Sequence, residues 1–246
     1  MQGLGFMNPM STQALPQGLL TMTGPLPPFL VFAYNIQDEV VARAMRSRLP
    51  DWAQHTKFTM VARLPEDSTT PEQLRIMLRN ALEDRFAVKA HRETHTGTVN
   101  TLMVARQGIT GPTLRPHLTQ PECARPGTQS QPNQKPCGLE INRKEGGMVH
   151  VSMIEVTLPE ACTLLGGLGG VLGGRGMDHM VDATGLTGAW DMTLDFLSDQ
   201  ADGQASDTGG PTFTGALEKQ LGLRLKKATG PVEDLIIDHI AQPTAD

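Results

Sequence analysis

Alternating apolar and polar residues identify two half-buried β-strands, one in each half of the chain: KFTMVARL and AWDMTLDFL. A polar loop and then a helix follow each of these strands. In the first half the helix is predicted over Pro71–Arg85, with Thr69 or Thr70 as its cap. Its apolar residues recur at i, i+3, i+4, i+7 and i+8, which forms a single apolar stripe. We therefore expect this helix to pack on a sheet.

The second half repeats this order with a shorter helix, which Thr212 or Thr214 caps and which ends at Gly222. The segments upstream are also parallel, because GLLTMTGPLPPFLVFAY and GGMVHVSMIEVTLPEACTLLGGLGGVL both predict a strand followed by a helix that begins at proline. The second of these helices is rich in glycine, which weakens a helix interior. We expect it to end near Leu172.

Two strands are predicted after the last helix of each half. They are FAVKAHRET and TVNTLMVAR in the first half, and LRLKKAT and VEDLIIDHI in the second, where Gly230 and Pro231 indicate a turn. The correspondence between the halves predicts a tandem duplication of one βαββαββ unit. The fold class is α+β, with the helices on one face of mixed or antiparallel sheets.

Composition divides the chain between these halves. Residues 106–147 lose their periodicity and are rich in Pro, Gly, Gln and Thr, which is typical of a linker or an ordered surface loop. The predicted organisation is an N-terminal extension at 1–17, a first repeat unit at 18–106, a linker loop at 107–146 and a second repeat unit at 147–246.

Charge and cysteine content narrow the classes of function. A net charge of -5, with no cluster of basic and aromatic residues, argues against nucleic-acid binding. The chain contains no run of about 18 apolar residues, so no membrane span is predicted. The first residues contain no signal peptide pattern, so the literal expectation is a cytoplasmic protein. Cys123 and Cys137, however, flank a loose loop that a disulfide would close, which predicts an oxidising compartment.

Three side chains near the end of a predicted strand form a candidate metal site. His91, Glu93 and His95 stand at i, i+2 and i+4 and would share one face of that strand. Two imidazoles and a carboxylate are suitable zinc ligands. The alternative is an exposed strand end whose polar side chains are solvated or paired.

A second candidate lies beside the glycine-rich segment. Asp178, His179 and Asp182 place two carboxylates and an imidazole within five residues, a set that could act as a general base with its orienting acid. The alternative is a turn in which Asp182 and Thr184 bond to backbone amides.

Other side chains invite weaker hypotheses. Trp52 and Trp190 precede the central strand of each half. They are interpreted as core anchors, and the alternative is a ligand platform between the halves. Cys162, in an apolar helix, is expected to be a small buried hydrophobe. Four carboxylates around a polar loop are candidate calcium ligands, and the alternative is that they are simply solvated. These are Asp195, Asp199, Asp202 and Asp207.

From about Gly18 to its C-terminus, the chain resembles the soil-associated family of unknown function that is abundant in Acidobacteria. The resemblance rests on LPDWAQHTKFTMVARLP, TPEQLRIMLRNALEDRFAVKAHRET, VDATGLTGAWDMTLDF and GPTFTGALEKQLGLRLKKATGPVEDLIIDHIAQP. It implies a secreted or periplasmic protein with no established reaction or cofactor. His95 departs from the family, which has Lys there. The repeat units also resemble the short N-terminal modules of secretin and TonB proteins, which bind partners or peptides.

Two hypotheses of function follow. The first is a non-enzymatic extracytoplasmic binding protein whose partner is a peptide, a protein domain or a small molecule. The second is a hydrolase of esters or lactones, with or without a divalent metal, that uses one of the two histidine-containing sets. In an enzyme these groups should converge on one pocket with perturbed ionisation, whereas in a binding protein they should be scattered.

Overall fold

The computed structural model describes residues 11–15, 19–63, 70–118, 123–124, 134–172, 177–198 and 210–243. Elements of the first part of the chain are β1 (Ser11–Leu15), β2 (Leu19–Gly24), α1 (Leu26–Ala33), α2 (Glu39–Ser47), α3 (Asp51–His55), β3 (Phe58–Arg63), α4 (Pro71–Phe86) and β4 (Lys89–Val104). Those of the second part are β5 (Leu114–Pro116), β6 (Gly138–Arg143), β7 (Met148–Val156), α5 (Leu158–Leu172), β8 (Met180–Asp182), β9 (Trp190–Leu197), α6 (Phe213–Ala216) and β10 (Leu223–His239). The predicted α+β fold class is confirmed.

Local signals place the helices where the sequence predicts them. α4 begins with a capping box, in which the Thr70 side chain accepts from the Gln73 amide and the Gln73 side chain accepts from the Thr70 amide. α5 spans Leu158–Leu172, and because the next four residues lie outside the described part of the chain, its predicted end near Leu172 stays a prediction. Thr212 caps α6, which continues as a π-helical turn until Gly222 ends it in a left-handed conformation.

The last strands differ from the prediction, because β4 and β10 are each one long strand rather than two. β10 runs straight through Gly230 and Pro231, where a turn was expected. The physical reason is its position at the edge of a three-stranded sheet with the order β10-β4-β8. A proline on an edge strand can lack its amide hydrogen without breaking a ladder.

Inter-residue contacts group the chain into two units. The small unit comprises Gln2–Gln37, Val41–His95 and Glu233–Asp246, and the large unit comprises Asp38–Val40 and Thr96–Val232. Both halves of the chain contain the order strand, helix, strand, helix, long strand, but α2 and α3 in the first half and β8 in the second have no counterpart. The duplication itself stays a prediction.

The small unit contains the antiparallel sheet β1-β2-β3. Buried side chains of β2, α1, α2 and α4 form its core, and Phe58 and Phe86 meet edge to face with ring centroids 4.9 Å apart. The core fixes α4 and the end of α1, which carry the pocket described below.

The large unit contains the antiparallel sheet β5-β9-β7-β6. Strand β9 alternates buried and half-buried residues along its whole length, as its sequence predicts. Its inner face packs with α5 and α6 in a second core, where Phe196 and Phe213 are in edge contact. β5 and β6 both lie in the segment predicted as a linker loop. In the described part of the chain, no helix is long and apolar enough to cross a membrane.

Candidate functional site

The structure places the predicted metal set on β4, opposite β10. The Nδ1 atom of His91 lies 2.8 Å from the Asp238 carboxylate, and that of His95 lies 4.0 Å from Asp234. Each imidazole therefore faces a carboxylate of its own. Glu93 is exposed on the same strand. Metal binding by His91, Glu93 and His95 stays a prediction.

His179 meets a carboxylate that the sequence did not suggest. Its Nδ1 atom is 3.0 Å from Asp38, and its backbone amide donates to the same carboxylate oxygen at 2.6 Å. His179 has a φ of 44°, in the left-handed region that side chains rarely adopt. Asp182 instead accepts from the amide and hydroxyl of Thr184, the turn that was the alternative interpretation. The Asp178 carbonyl accepts from the side chain of Asn100.

Other predicted residues lie in the cores or in ion pairs. Trp190 is buried in the large unit and donates to the Thr187 carbonyl, while Trp52 packs edge-on to Phe58 in the small unit. Burial, together with a smaller effect of the Asp182 charge, raises the pKa of the Cys162 thiol to about 12. Of the four carboxylates of the acidic loop, the structure describes Asp195, whose Oδ1 accepts from His150 and Lys144. Asp199, Asp202 and Asp207 lie outside the described residues.

A disulfide joins Cys123 and Cys137. The Glu155 carboxylate lies 3.1 Å from the Cys123 sulfur. These three side chains are a group of potential metal ligands whose donor atoms lie close together in the described part of the chain. Because the two sulfurs are bonded to each other, the group does not indicate a metal site.

Next to the disulfide lies a histidine–aspartate pair that sequence reasoning missed. Asp191 accepts from the Nδ1 of His117 at 2.7 Å and from the Glu155 amide at 3.0 Å. Glu155 has a φ of 58° at an irregularity in the pairing of β7 with β9. His117 and Asp191 are 74 positions apart in the sequence, and no sequence signal indicates this pair.

A pocket of about 220 Å³ in the small unit gathers three arginines. The residues that line it are Ala33, Tyr34, Asn35, Glu72, Arg75, Arg79 and Arg92. α4 supplies Glu72, Arg75 and Arg79 from one face, and the end of α1 supplies Tyr34. Three positive charges and one negative charge line the pocket, which favours an anionic ligand.

Glu72 lies between two of these arginines. One of its carboxylate oxygens accepts from Arg75 at 3.1 Å and the other from Arg79 at 3.4 Å. The Arg75 guanidinium also lies over the Phe32 ring, with its central carbon 5.5 Å from the ring centroid, a cation–π contact. The Nε–H of Arg75 is buried and has no hydrogen-bond acceptor among the described residues.

The third arginine is held by two partners from other elements. Arg92, on β4, pairs with Glu233 and donates to the Tyr34 carbonyl at 2.5 Å. Because this carbonyl lies at the C-terminal end of α1, the guanidinium also satisfies an otherwise unpaired helix carbonyl. These two contacts hold the Arg92 side chain at one side of the pocket.

Comparison with known proteins gives a family. A family model described as a protein of unknown function (DUF3738) matches residues 28–240. The chain belongs to this family. No curated protein and no solved structure matches the chain.

The DUF3738 match includes every residue that lines the pocket, as well as His179, Asp38 and the disulfide. The family description assigns no reaction, ligand or cofactor to any of these residues. Arg75 and Arg79, at i and i+4 on a predicted helix, could have been recognised from sequence as neighbours. Arg92 could not have been recognised as their neighbour, because its position beside them depends on how β4 packs in the folded unit.

Proposed function

We propose that this protein is a non-catalytic binding protein of an extracytoplasmic compartment, whose ligand is an anion that binds the arginine-lined pocket of the small unit. The observation that carries the proposal is the meeting of Arg75, Arg79 and Arg92 around one pocket. Guanidinium groups bind carboxylates and phosphates through paired hydrogen bonds. In the unliganded protein, Glu72 and Glu233 offset the repulsion among these three groups.

Two further observations support binding rather than catalysis. The histidine–aspartate pairs lie on different elements, and no histidine lines the pocket. The Cys162 thiol is buried and its pKa is raised, so that it is a poor nucleophile at neutral pH. The disulfide supports an oxidising compartment, such as the periplasm or the exterior of the cell.

The alternative, an ester or lactone hydrolase, rests on the Asp38–His179 pair. This pair has the imidazole–carboxylate contact of a general base, and the His179 backbone is strained. The other hydrogen bonds described for His179 go from its amide to Asp38 and from the Asn100 amide to its carbonyl. A nucleophile would have to come from the substrate or from water.

Anion binding to the whole protein tests the proposal. Acetate and inorganic phosphate, titrated separately by calorimetry at constant ionic strength, should give saturable binding from at least one of them. The double variant Arg75→Gln/Arg79→Gln should weaken it about tenfold or more, since hydrogen bonds between charged groups contribute about 1.5 to 3 kcal/mol. Arg85→Gln, on the same helix outside the pocket lining, is the matched control and should bind as the parent does.

Two results would contradict the proposal. One is the absence of saturable binding by both anions. The other is turnover of p-nitrophenyl acetate or a chromogenic lactone that His179→Ala abolishes, which would favour the hydrolase alternative.

A further inference from the structure

We infer that the ligand of the arginine pocket bears a single carboxylate group, presented between Arg75 and Arg79 in the position that Glu72 now occupies. This inference rests on the proposed function and names the chemistry of the ligand. It covers small carboxylic acids and the C-terminal carboxylate of a peptide, which present the same group.

The Glu72 carboxylate is an internal stand-in for such a ligand. It offers one oxygen to each guanidinium, at 3.1 Å from Arg75 and 3.4 Å from Arg79, so a single carboxylate reaches both groups. Its side chain is 60% exposed in the first turn of α4 and can rotate into solvent. An incoming carboxylate would then take over both contacts without any movement of the backbone.

The rest of the pocket limits the charge and size of the ligand. Arg92 is already neutralised by Glu233, so a ligand that displaces Glu72 meets two uncompensated guanidinium groups, Arg75 and Arg79. Its single charge restores the balance that Glu72 provided. A volume of about 220 Å³ exceeds the roughly 150 Å³ cavity that holds benzene, which leaves room for a carboxylate with one residue-sized substituent.

The experiment compares matched acids and amides on the full chain. N-acetylalanine and acetyl-trialanine are each titrated as the free acid and as the C-terminal amide, with inorganic phosphate as a third probe. The acids should bind and the amides should bind at least about tenfold more weakly, since the amide loses the charge-assisted pair. Calorimetry at constant ionic strength measures each affinity.

Variants test the position of the carboxylate. Glu72→Gln removes the internal competitor and should tighten binding of the acids severalfold. Arg75→Gln and Arg79→Gln should each weaken it about tenfold, because glutamine cannot supply the charge of a charge-assisted hydrogen bond. Asp84→Asn, an exposed acidic residue on the same helix, is the control and should leave affinity unchanged. Circular dichroism of each variant confirms that it is folded.

The outcomes separate the two proposals. Tighter binding of either acid than of its amide supports the inference. The acid that binds more tightly identifies the source as a peptide end or a small molecule. Binding of phosphate without binding of the acids would overturn the inference and leave the proposed function standing. Binding of none of the probes would overturn both, and Glu72→Gln with unchanged or weaker acid binding would disprove the internal stand-in.

Discussion

Six histidines of the chain each lie within 4.0 Å of a different aspartate. One of these aspartates is Asp195, whose Oδ1 accepts from His150 at 2.9 Å and from Lys144 at 3.1 Å. Partial burial opposes ionisation of this carboxyl, but the hydrogen bonds and charges of His150 and Lys144 outweigh it, so the pKa of Asp195 lies below its ordinary 3.8. The ionised form is thus favoured by folding.

Asp195→Asn should therefore lower the free energy of unfolding at neutral pH. The expected loss is about 1 kcal/mol, because the side chain is 38% exposed and solvent screens the pair. A depressed pKa stabilises the fold above pH 3.8 and ceases to do so as the pH falls through the lowered value. Urea unfolding at several pH values should show the difference between parent and variant shrinking across that interval.

Backbone effects should not confuse this test. The Gln220 side chain accepts from the Asp195 amide and donates to its carbonyl, and asparagine keeps both bonds. Asp51→Asn is the control, since Asp51 and His55 form a comparable pair that is almost fully exposed. An Asp195→Asn effect that is the same at every pH would rule out the electrostatic explanation.

For individual residues, the sequence could indicate which side chains are candidates for a functional role, but it could not indicate which distant residues they contact. His179 and Asp182 were recognised as polar residues beside a turn, yet the carboxylate that binds His179 is Asp38, 141 positions away. Asp182 and Thr184 are two residues apart, and their turn was among the interpretations of the sequence. Contacts within a few residues follow from local geometry, whereas distant ones depend on the packing of the whole unit.

At the scale of elements, the loop between β4 and β5 makes a close contact with the end of the π-helical turn. The Gly111 amide donates to the Leu221 carbonyl at 2.7 Å, and the Thr113 amide and hydroxyl donate to the Gln220 carbonyl. A Cβ atom on Gly111 would lie 2.2 Å from the Gln220 oxygen. Only glycine allows these two backbones to approach so closely.

Gly111→Ala should consequently destabilise the protein by about 3 kcal/mol, since backbone must move to admit the methyl group. Gly108→Ala is the matched control in the same loop. Its Cβ would meet nothing within 4 Å, and its φ of 74° leaves a conformational cost of about 1 kcal/mol. Urea midpoints of the two variants measure the difference, and equal losses would contradict the close-contact explanation.

Elements with strong local signals were predictable and those that depend on pairing were not. α4 has its cap, its proline and its apolar stripe in sequence, and β9 has strict alternation. β8 has three residues and exists through parallel pairing with β4, about 80 positions earlier, so nothing local predicts it. β10 was divided at Gly230 because its edge position, which tolerates Pro231, is a tertiary property.

For the whole molecule, two predictions from sequence have different outcomes. The α+β class is confirmed, since it follows from the periods of the apolar residues. The duplication stays a prediction, because the shared order of elements is weaker evidence than superposition. The arginine pocket was not predicted, although Arg75, Arg79 and Arg92 all stand in segments that the sequence assigned to elements. A pocket becomes visible when residues of separate elements are placed in one unit.

The carboxylate beside the disulfide has a consequence for reduction. Thiol reductants attack a sulfur as thiolate anions, and Glu155 holds a negative charge 3.1 Å from the Cys123 sulfur. Repulsion on the order of 1 kcal/mol at this half-buried site would slow that attack about fivefold. Glu155→Gln should thus accelerate reduction by dithiothreitol, followed as the free-thiol count rises from that of Cys162 alone, while an uncharged phosphine should reduce both proteins equally. The acidic side chain would shield the crosslink selectively against anionic thiols.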